Sequence, residues 1–241
     1  MKEYFKSAAA DTRLLFRSIP SVITALFTVS VVMMNILANK TIFQTEWIAI
    51  DGGILVSWLS FLCMDVVTKA FGPKASTKLS VFALLVNLFV CLLFYIVSAI
   101  PTEEDFSAFN SVIGGTWFIL LSSAVAFISS AVINNFLNWG VGRAFHKNPD
   151  GKLAYMARSY VSTFIAQFCD NLIFALLTFT VFAPIYWDGF HWTFVQCVTC
   201  SLLGAVLELL MEVIFSPIGY KVLKIWKRDG VGAGYAERGK A

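Results

Sequence analysis

The stretch YVSTFIAQFCDNLIFALLTFTVFAPI, residues Tyr160–Ile185, decides the fold of this chain. It is apolar over more than the roughly 20 residues that a helix needs to cross a bilayer, yet Asp170 lies near its middle. Gln167 and Asn171 accompany Asp170 at helical spacing, so the three side chains project from one face. A carboxylate at the bilayer centre costs roughly 2.5–3.5 kcal/mol. We therefore expect a membrane-spanning helix in which Asp170 serves a function.

The composition indicates a membrane protein throughout. Hydrophobic residues make up 58% of the sequence and the mean hydropathy is +0.75, whereas soluble domains contain about 45–50% apolar residues. Apolar runs that can span a bilayer lie at Ile19–Ala38, Gly53–Thr68, Leu79–Ile100, Thr116–Val141, Tyr160–Ile185 and Phe194–Pro217. We predict an all-α polytopic membrane protein with six transmembrane helices.

The basic residues are distributed unevenly between the loops. All but Lys40 of the 18 Lys and Arg residues lie in the N-terminal segment, at 69–78, at 143–158 or in the tail from Lys221. The positive-inside rule therefore places both termini in the cytoplasm, with the chain in the inner (plasma) membrane. Basic residues beside membrane helices meet anionic lipid, so the net charge of +3 does not indicate a nucleic-acid partner.

Short loops leave no room for a second folded domain. Pro and Gly lie mainly at the expected helix ends, and Pro217 is expected to mark the end of the sixth helix. We divide the chain into a cytoplasmic lead-in (1–18), a single six-helix transmembrane domain (19–226) and a disordered cytoplasmic tail (227–241), which is rich in glycine and charge.

Further polar residues lie within the expected helices, where ionisable groups commonly mark substrate pathways. The candidate substrate-binding residues are Asp170, Asn171, Gln167, Asp65, Asn135, Asn138, Glu208, Glu212, Asn35 and Asn39. No catalytic or metal-binding residue is expected among them.

Structural roles compete with binding at some of these positions. Asp65 could pair with Lys69 one turn later, at the cytoplasmic interface. Glu208 and Glu212 are like charges four residues apart, so either one of them is protonated or a cationic group lies between them.

The fourth helix carries a stripe of small residues at Ser122, Ala126 and Ser130, which is typical of closely packed membrane helices. Asn134 continues this stripe, which favours a packing role. Asn135 and Asn138 leave the stripe, so we expect them to line a cavity.

Several motifs are absent, and their absence limits the function. The sequence contains no GxxxxGK[ST], HExxH or GxSxG, so it predicts no P-loop ATPase, zinc protease or serine hydrolase. We expect no cofactor and no enzyme activity. The cysteines fall within the predicted helices and read as small apolar side chains rather than zinc ligands: Cys63, Cys91, Cys169, Cys197 and Cys200.

Two segments resemble one family of membrane proteins. FLCMDVVTKAFG (Phe61–Gly72) resembles the D-x-x-[TV]-x-x-[FY]-G signature of the queuosine precursor transporter family, also called the putative vitamin uptake transporter family. ARSYVSTFIAQFCDNLIF (Ala157–Phe174) is similar to that family's S-T…D-[NT]-x-x-F segment. MNILANK (Met34–Lys40) and SPIGYKVL (Ser216–Leu223) are weaker matches.

The resemblance implies import of a 7-deazaguanine precursor of queuosine, with Asp65, Asp170 and Asn171 at the family's binding positions. A deazaguanine edge offers N–H donors for a carboxylate and a carbonyl oxygen for an amide donor. The chain departs from the family pattern in having Asn138 in place of an acidic residue and Leu207 in place of a lysine, with Glu208 and Glu212 beside Leu207. The shift from lysine to glutamate in the sixth predicted helix favours a different, cationic ligand.

Three hypotheses follow from the sequence. The first is a solitary transporter that imports a deazapurine-like small molecule, with Asp170 as the principal ligand. The second is a substrate-capture subunit for a separate ATPase module, and the chain could also form a homo-oligomer. The third is a membrane enzyme or scaffold that does not transport.

Overall fold

A computed structural model describes residues 2–144 and 152–238 of the chain. Helices account for most of this part. They are α1 (Lys2–Ser18), α2 (Ser21–Leu37), α3 (Ile54–Phe71), α4 (Pro73–Ser98), α5 (Ser107–Gly114), α6 (Thr116–Ala144), α7 (Lys152–Ala175), a π-helix (Leu176–Phe182), α8 (Ala183–Tyr186), α9 (Phe194–Arg228) and α10 (Ala233–Arg238). Two short strands, β1 (Thr41–Gln44) and β2 (Ala49–Asp51), pair antiparallel.

The described helices include five that are long and apolar enough to cross a membrane. They cover Ile54–Phe71, Pro73–Ser98, Ser107–Ser130, Phe164–Tyr186 and Phe194–Phe215. A sixth span arises if α1 and α2 count together, although they bend by 103° at their junction. Pro20 lies in that junction and restricts the residue before it, which explains the break. The helical, multi-span fold is confirmed, while the orientation of the termini stays a prediction.

A small hairpin occupies the first predicted outer loop and was not anticipated. β1 and β2 pair through Thr41 and Asp51, Phe43 and Ile50, and Gln44 and Ala49. The backbone N–H of Gly52 then donates to the carbonyl of Lys40 at 2.8 Å. A Cβ at Gly52 would lie 2.7 Å from the carbonyl oxygen of Leu37, so only glycine fits this close approach.

The expected helix end at Pro217 is wrong, because α9 continues through this residue to Arg228. Proline inside a helix removes one backbone hydrogen bond. Membrane helices tolerate this loss because neighbouring groups can satisfy the freed carbonyl.

The chain forms two compact units. The first contains residues 1–34, 55–87 and 210–241. Its apolar core combines residues from α1, the junction after it, α2, α3 and α4: Leu15, Ile19, Phe27, Cys63, Val67, Ala75, Leu79 and Ala83. Lys78 and Asp11 form an ion pair beside this core, and Tyr235 of α10 packs against Phe71.

The predicted division of the chain into a lead-in (1–18), a transmembrane domain (19–226) and a tail (227–241) stays a prediction.

The second unit contains residues 35–54 and 88–209, and it holds most of the candidate site. Trp192 stacks on Phe179 with ring centroids 3.8 Å apart, at the centre of one of its cores. The start of α9 is closed by a capping box, in which Thr193 and Gln196 exchange hydrogen bonds. Gln196 Nε2 also donates to the carbonyl of Thr45 at 2.6 Å, which fastens the hairpin to α9.

Candidate functional site

The candidate site is built on α7, which carries Gln167, Asp170 and Asn171 within one turn. Two neighbours in the second unit position these side chains. α6 packs along α7, and two small residues of its stripe, Ser122 and Ala126, are fully buried. The other neighbour is α9, which passes Asn171 at Gly204. The small residues of α6 thus allow the close packing expected of such a stripe.

Asp170 faces α6. Ser130 Oγ donates a hydrogen bond to Asp170 Oδ1 at 2.8 Å and also lies 3.0 Å from the carbonyl oxygen of Phe127 in its own helix. Ser130 is buried, at 9% exposure. The sequence predicts only a packing role for Ser130, as a member of the small-residue stripe on α6. A carboxylate can accept about four hydrogen bonds, so one serine donor leaves most of its acceptor capacity unused.

Asn171 faces α9. Its Nδ2 is buried and has no hydrogen-bond partner within the described residues. A Cβ built on Gly204 would lie 2.7 Å from this nitrogen, so the amide occupies the space that a side chain at Gly204 would fill. Asp170 and Asn171, although adjacent in sequence, are therefore held by different helices.

Gln167 lies on the same face one turn earlier in α7. The residue is 7% exposed, and its Oε1 is buried with no hydrogen-bond partner in the described part of the chain. Buried side-chain polar atoms are nearly always hydrogen-bonded. The free acceptor on Gln167 and the free donor on Asn171 are thus the two features of this face that folding alone does not explain.

Glu208 is the nearest candidate on α9, one helical turn after Gly204. It is 4% exposed. The second unit therefore contains at least two carboxylates close to the membrane-spanning core, on Asp170 and Glu208.

Asn35 and Asn39 lie at the end of α2 and are placed differently. Asn35 is buried at 2% exposure. Asn39 Nδ2 donates to the carbonyl of Ile36 at 2.9 Å and to Thr116 Oγ1 at 3.2 Å. Asn39 therefore links the end of α2 to the start of α6, which is a structural role, while its buried Oδ1 has no partner among the described residues.

Four candidates lie outside the described side chains. Their backbones belong to α3, α6 and α9, and they are Asp65, Asn135, Asn138 and Glu212. Asp65 and Glu212 belong to the first unit, whereas the other candidates belong to the second. Their binding roles stay predictions.

Asp51 is a buried carboxylate that the sequence analysis missed. It ends β2 outside the membrane-spanning helices and is 8% exposed. The N–H of Gly53 donates to its Oδ1 at 2.7 Å, and Cys200 of α9 lies beside it. Burial raises the pKa of Asp51 to about 6, although backbone N–H groups oppose this shift. The sequence signal was its position three residues before the first residue of α3, where a carboxylate can accept from the free N–H groups at the start of a helix.

The membrane-spanning helix changes geometry just beyond the site. The π-helix begins at Leu176, five residues after Asn171. It contains Thr178, which is fully buried and whose Oγ1 has no hydrogen-bond partner within the described ranges. Such π-helical segments are rare and often lie at functional sites.

The chemistry of this face is hydrogen bonding. The described residues contain no group of three or more His, Cys, Asp or Glu that could hold a metal ion. The available groups are the carboxylate of Asp170, the Oε1 acceptor of Gln167 and the Nδ2 donor of Asn171. They suit a polar ligand that presents both N–H groups and an oxygen acceptor.

Comparison with known proteins gives one match. A family model described as "Putative vitamin uptake transporter" matches residues 51–222. The matched region contains Asp51, Asp65, the α7 site and Glu208, whereas Asn35 and Asn39 precede it. No curated protein and no solved structure gives a significant match to this chain.

Proposed function

The chain belongs to the putative vitamin uptake transporter family, and from that premise we propose that it imports a 7-deazaguanine precursor of queuosine, or a related nucleobase-like compound, for tRNA modification. Its apolar helices make it a multi-pass membrane protein. Membership of a transporter family favours transport over catalysis.

The hydrogen-bonding face on α7 carries this proposal. A deazaguanine presents neighbouring N–H donors and a carbonyl oxygen along one edge. The carboxylate of Asp170 and the Oε1 of Gln167 can accept from such donors, and the Nδ2 of Asn171 can donate to such an oxygen. Gln167 Oε1 and Asn171 Nδ2 are buried without partners among the described residues, so a ligand of this kind would complete their hydrogen bonding.

The charge around the face also favours a ligand rich in N–H groups. In the second unit, Lys40 is the one Lys or Arg whose side chain the structure describes, and it is exposed. Ser130 supplies a neutral donor to Asp170. A substrate N–H, or a cationic group on the substrate, would therefore stabilise the carboxylate of Asp170.

The proposed carrier acts alone in the plasma membrane, with both termini in the cytoplasm, as the distribution of Lys and Arg predicts. A reporter that is active only in the cytoplasm should be active when it is fused to either terminus. An outer location of either terminus would contradict this topology. Uptake that depends strictly on a copurifying ATPase would instead favour a substrate-capture subunit.

The function can be tested in a host that cannot make queuosine precursors. The host is supplied with individual 7-deazaguanines, with and without this protein, and queuosine is measured in its tRNA. We expect the modification to appear only when both the protein and a precursor are present. A chain that is confirmed in the membrane but restores no queuosine with any precursor would contradict the substrate assignment.

A further inference from the structure

Gly204 lies against Asn171 in the candidate site, and a side chain at Gly204 would collide with the Asn171 amide. It is buried in α9, and a Cβ added there would lie 2.7 Å from Nδ2 and 3.4 Å from Cγ of Asn171. A separation below 3.0 Å is closer than real Cβ atoms approach other heavy atoms. The terminal amide of Asn171 and a side chain at position 204 therefore cannot occupy their positions together.

The backbone at Gly204 does not itself require glycine. The residue lies within a helix, and it is not among the described glycines that have a positive φ. Glycine in a helix interior is less favourable than alanine. The close approach of Asn171 is thus the physical reason for a glycine at this position.

The amide that fills this space has an available donor. Asn171 Nδ2 is buried and has no hydrogen-bond partner within the described residues. If the amide were placed only for packing, an apolar side chain would fill the space without leaving a buried donor unsatisfied. The neighbouring Asp170 is meanwhile fixed toward α6 by Ser130.

We propose that Gly204 is a positioning residue: it leaves the space between α7 and α9 in which the Asn171 amide presents its N–H to an oxygen of the substrate. This inference rests on the proposed function, because it assigns the orientation of one ligand-binding group. Gly204 itself does not contact the substrate under this proposal. Its role is to set the direction of the Asn171 amide.

A second glycine of α9 provides a matched control. Among the described residues, a Cβ on Gly219 would meet two apolar side chains, Val66 Cγ2 at 3.3 Å and Leu62 Cδ1 at 3.7 Å. Gly219→Ala therefore adds the same methyl group to the same helix, against apolar neighbours in the part of the chain that the structure describes. A general sensitivity of α9 to alanine would appear in this variant as well.

The test is a double-mutant cycle on uptake of a labelled 7-deazaguanine, with KM and the maximal rate measured separately and corrected for protein in the membrane. We expect Gly204→Ala and Asn171→Ala each to raise KM by about 3- to 10-fold, the usual effect of one lost hydrogen bond, with little change in maximal rate. The double variant should be no worse than Asn171→Ala alone, because alanine at 171 removes the collision. Gly219→Ala should keep the wild-type KM.

Several results would overturn the inference. The first is a wild-type KM for Gly204→Ala, and the second is a wild-type KM for Asn171→Ala. The third is a double variant whose increase in KM is the product of the increases in the two single variants, which would mean that the substitutions act independently. If Gly204→Ala reaches the membrane in smaller amounts, the proposal expects Asn171→Ala to restore that amount in the double variant. Wild-type protein that takes up no deazaguanine would overturn the proposed function and this inference together, whereas the preceding results overturn the inference alone.

Discussion

The hydroxyl of Ser130 lies 2.8 Å from Oδ1 of Asp170 and donates a hydrogen bond to it from a neighbouring helix. This contact gives one hydrogen-bond donor to a carboxylate that lies inside a membrane-spanning segment. It also leaves most of the acceptor sites of the carboxylate available. Ser130 thus holds Asp170 in place, and a bound substrate can satisfy the remainder.

Ser130→Ala removes this donor and should lower the free energy of unfolding by about 1–3 kcal/mol, because a buried acceptor loses its partner. Thermal unfolding in detergent measures the change. Ser122→Ala is the control, since Ser122 lies on the same helix and donates to the carbonyl of Phe118 at 2.8 Å, within α6. Equal losses of stability from the two substitutions would argue against a special role for the contact with Asp170.

Gln167→Met replaces a buried, unsatisfied amide by an apolar side chain of similar size. We expect the free energy of unfolding to stay the same or rise by about 1 kcal/mol, while the KM for uptake rises about 3- to 10-fold. Gln196→Met should lower the free energy of unfolding and leave the KM unchanged. Both polar groups of Gln196 are hydrogen-bonded, to Thr193 and Thr45, so methionine removes these bonds. A destabilised Gln167→Met with unchanged KM would show that Gln167 is structural.

Asp51 should make the stability depend on pH. Burial raises its pKa in the folded protein from 3.8 to about 6, so the folded state binds this proton more tightly than the unfolded state does. The resulting stabilisation is complete below about pH 4 and is lost as the pH rises through about 6. The melting temperature of the wild type should therefore rise more than that of Asp51→Asn when the pH falls from 7 to 5.

Asp105→Asn is the control for this pH effect. Asp105 is exposed, and the N–H of Ser107 donates to it at 2.9 Å, which lowers its pKa. Removing this carboxylate should leave the gain in stability between pH 7 and pH 5 intact. A pH dependence that is identical in wild type and Asp51→Asn would contradict the assignment to Asp51.

The sequence predicts the helical spans well, because a bilayer sets the length of each apolar run and charged loops mark the ends. It also predicts that Gln167, Asp170 and Asn171 lie within about one turn of α7, since helical spacing fixes their separation, although Asp170 faces α6 and Asn171 faces α9. Periodicity within one helix is sufficient for both predictions.

The sequence does not predict the contacts between helices. Ser130 and Asp170 are 40 residues apart, and their meeting depends on the rotation and register of α6 against α7. The approach of Asn171 to Gly204 depends in the same way on α9. Helix packing in membranes has no hydrophobic pattern that would fix such registers, so small residues indicate closeness without naming the partner.

The hairpin and Asp51 escaped prediction for a different reason. β1 and β2 contain only four and three residues, too few for a convincing alternating pattern. Gly52 allows the chain to pass directly over the carbonyl of Leu37, and the carboxylate of the neighbouring Asp51 is buried. A charged residue in a predicted outer loop gives no indication of such burial.

A comparison of wild type with Asp170→Asn, for queuosine formation in a host that depends on an external precursor, tests whether the carboxylate of Asp170 binds the substrate. The substitution keeps the shape of the side chain and an oxygen that Ser130 can reach, but it removes the carboxylate. We predict that wild type restores queuosine in tRNA and that Asp170→Asn, present in the membrane in equal amount, loses at least about nine-tenths of that activity, as expected when a charged hydrogen bond is lost. Equal restoration by Asp170→Asn would contradict the assignment of Asp170 as the principal substrate ligand.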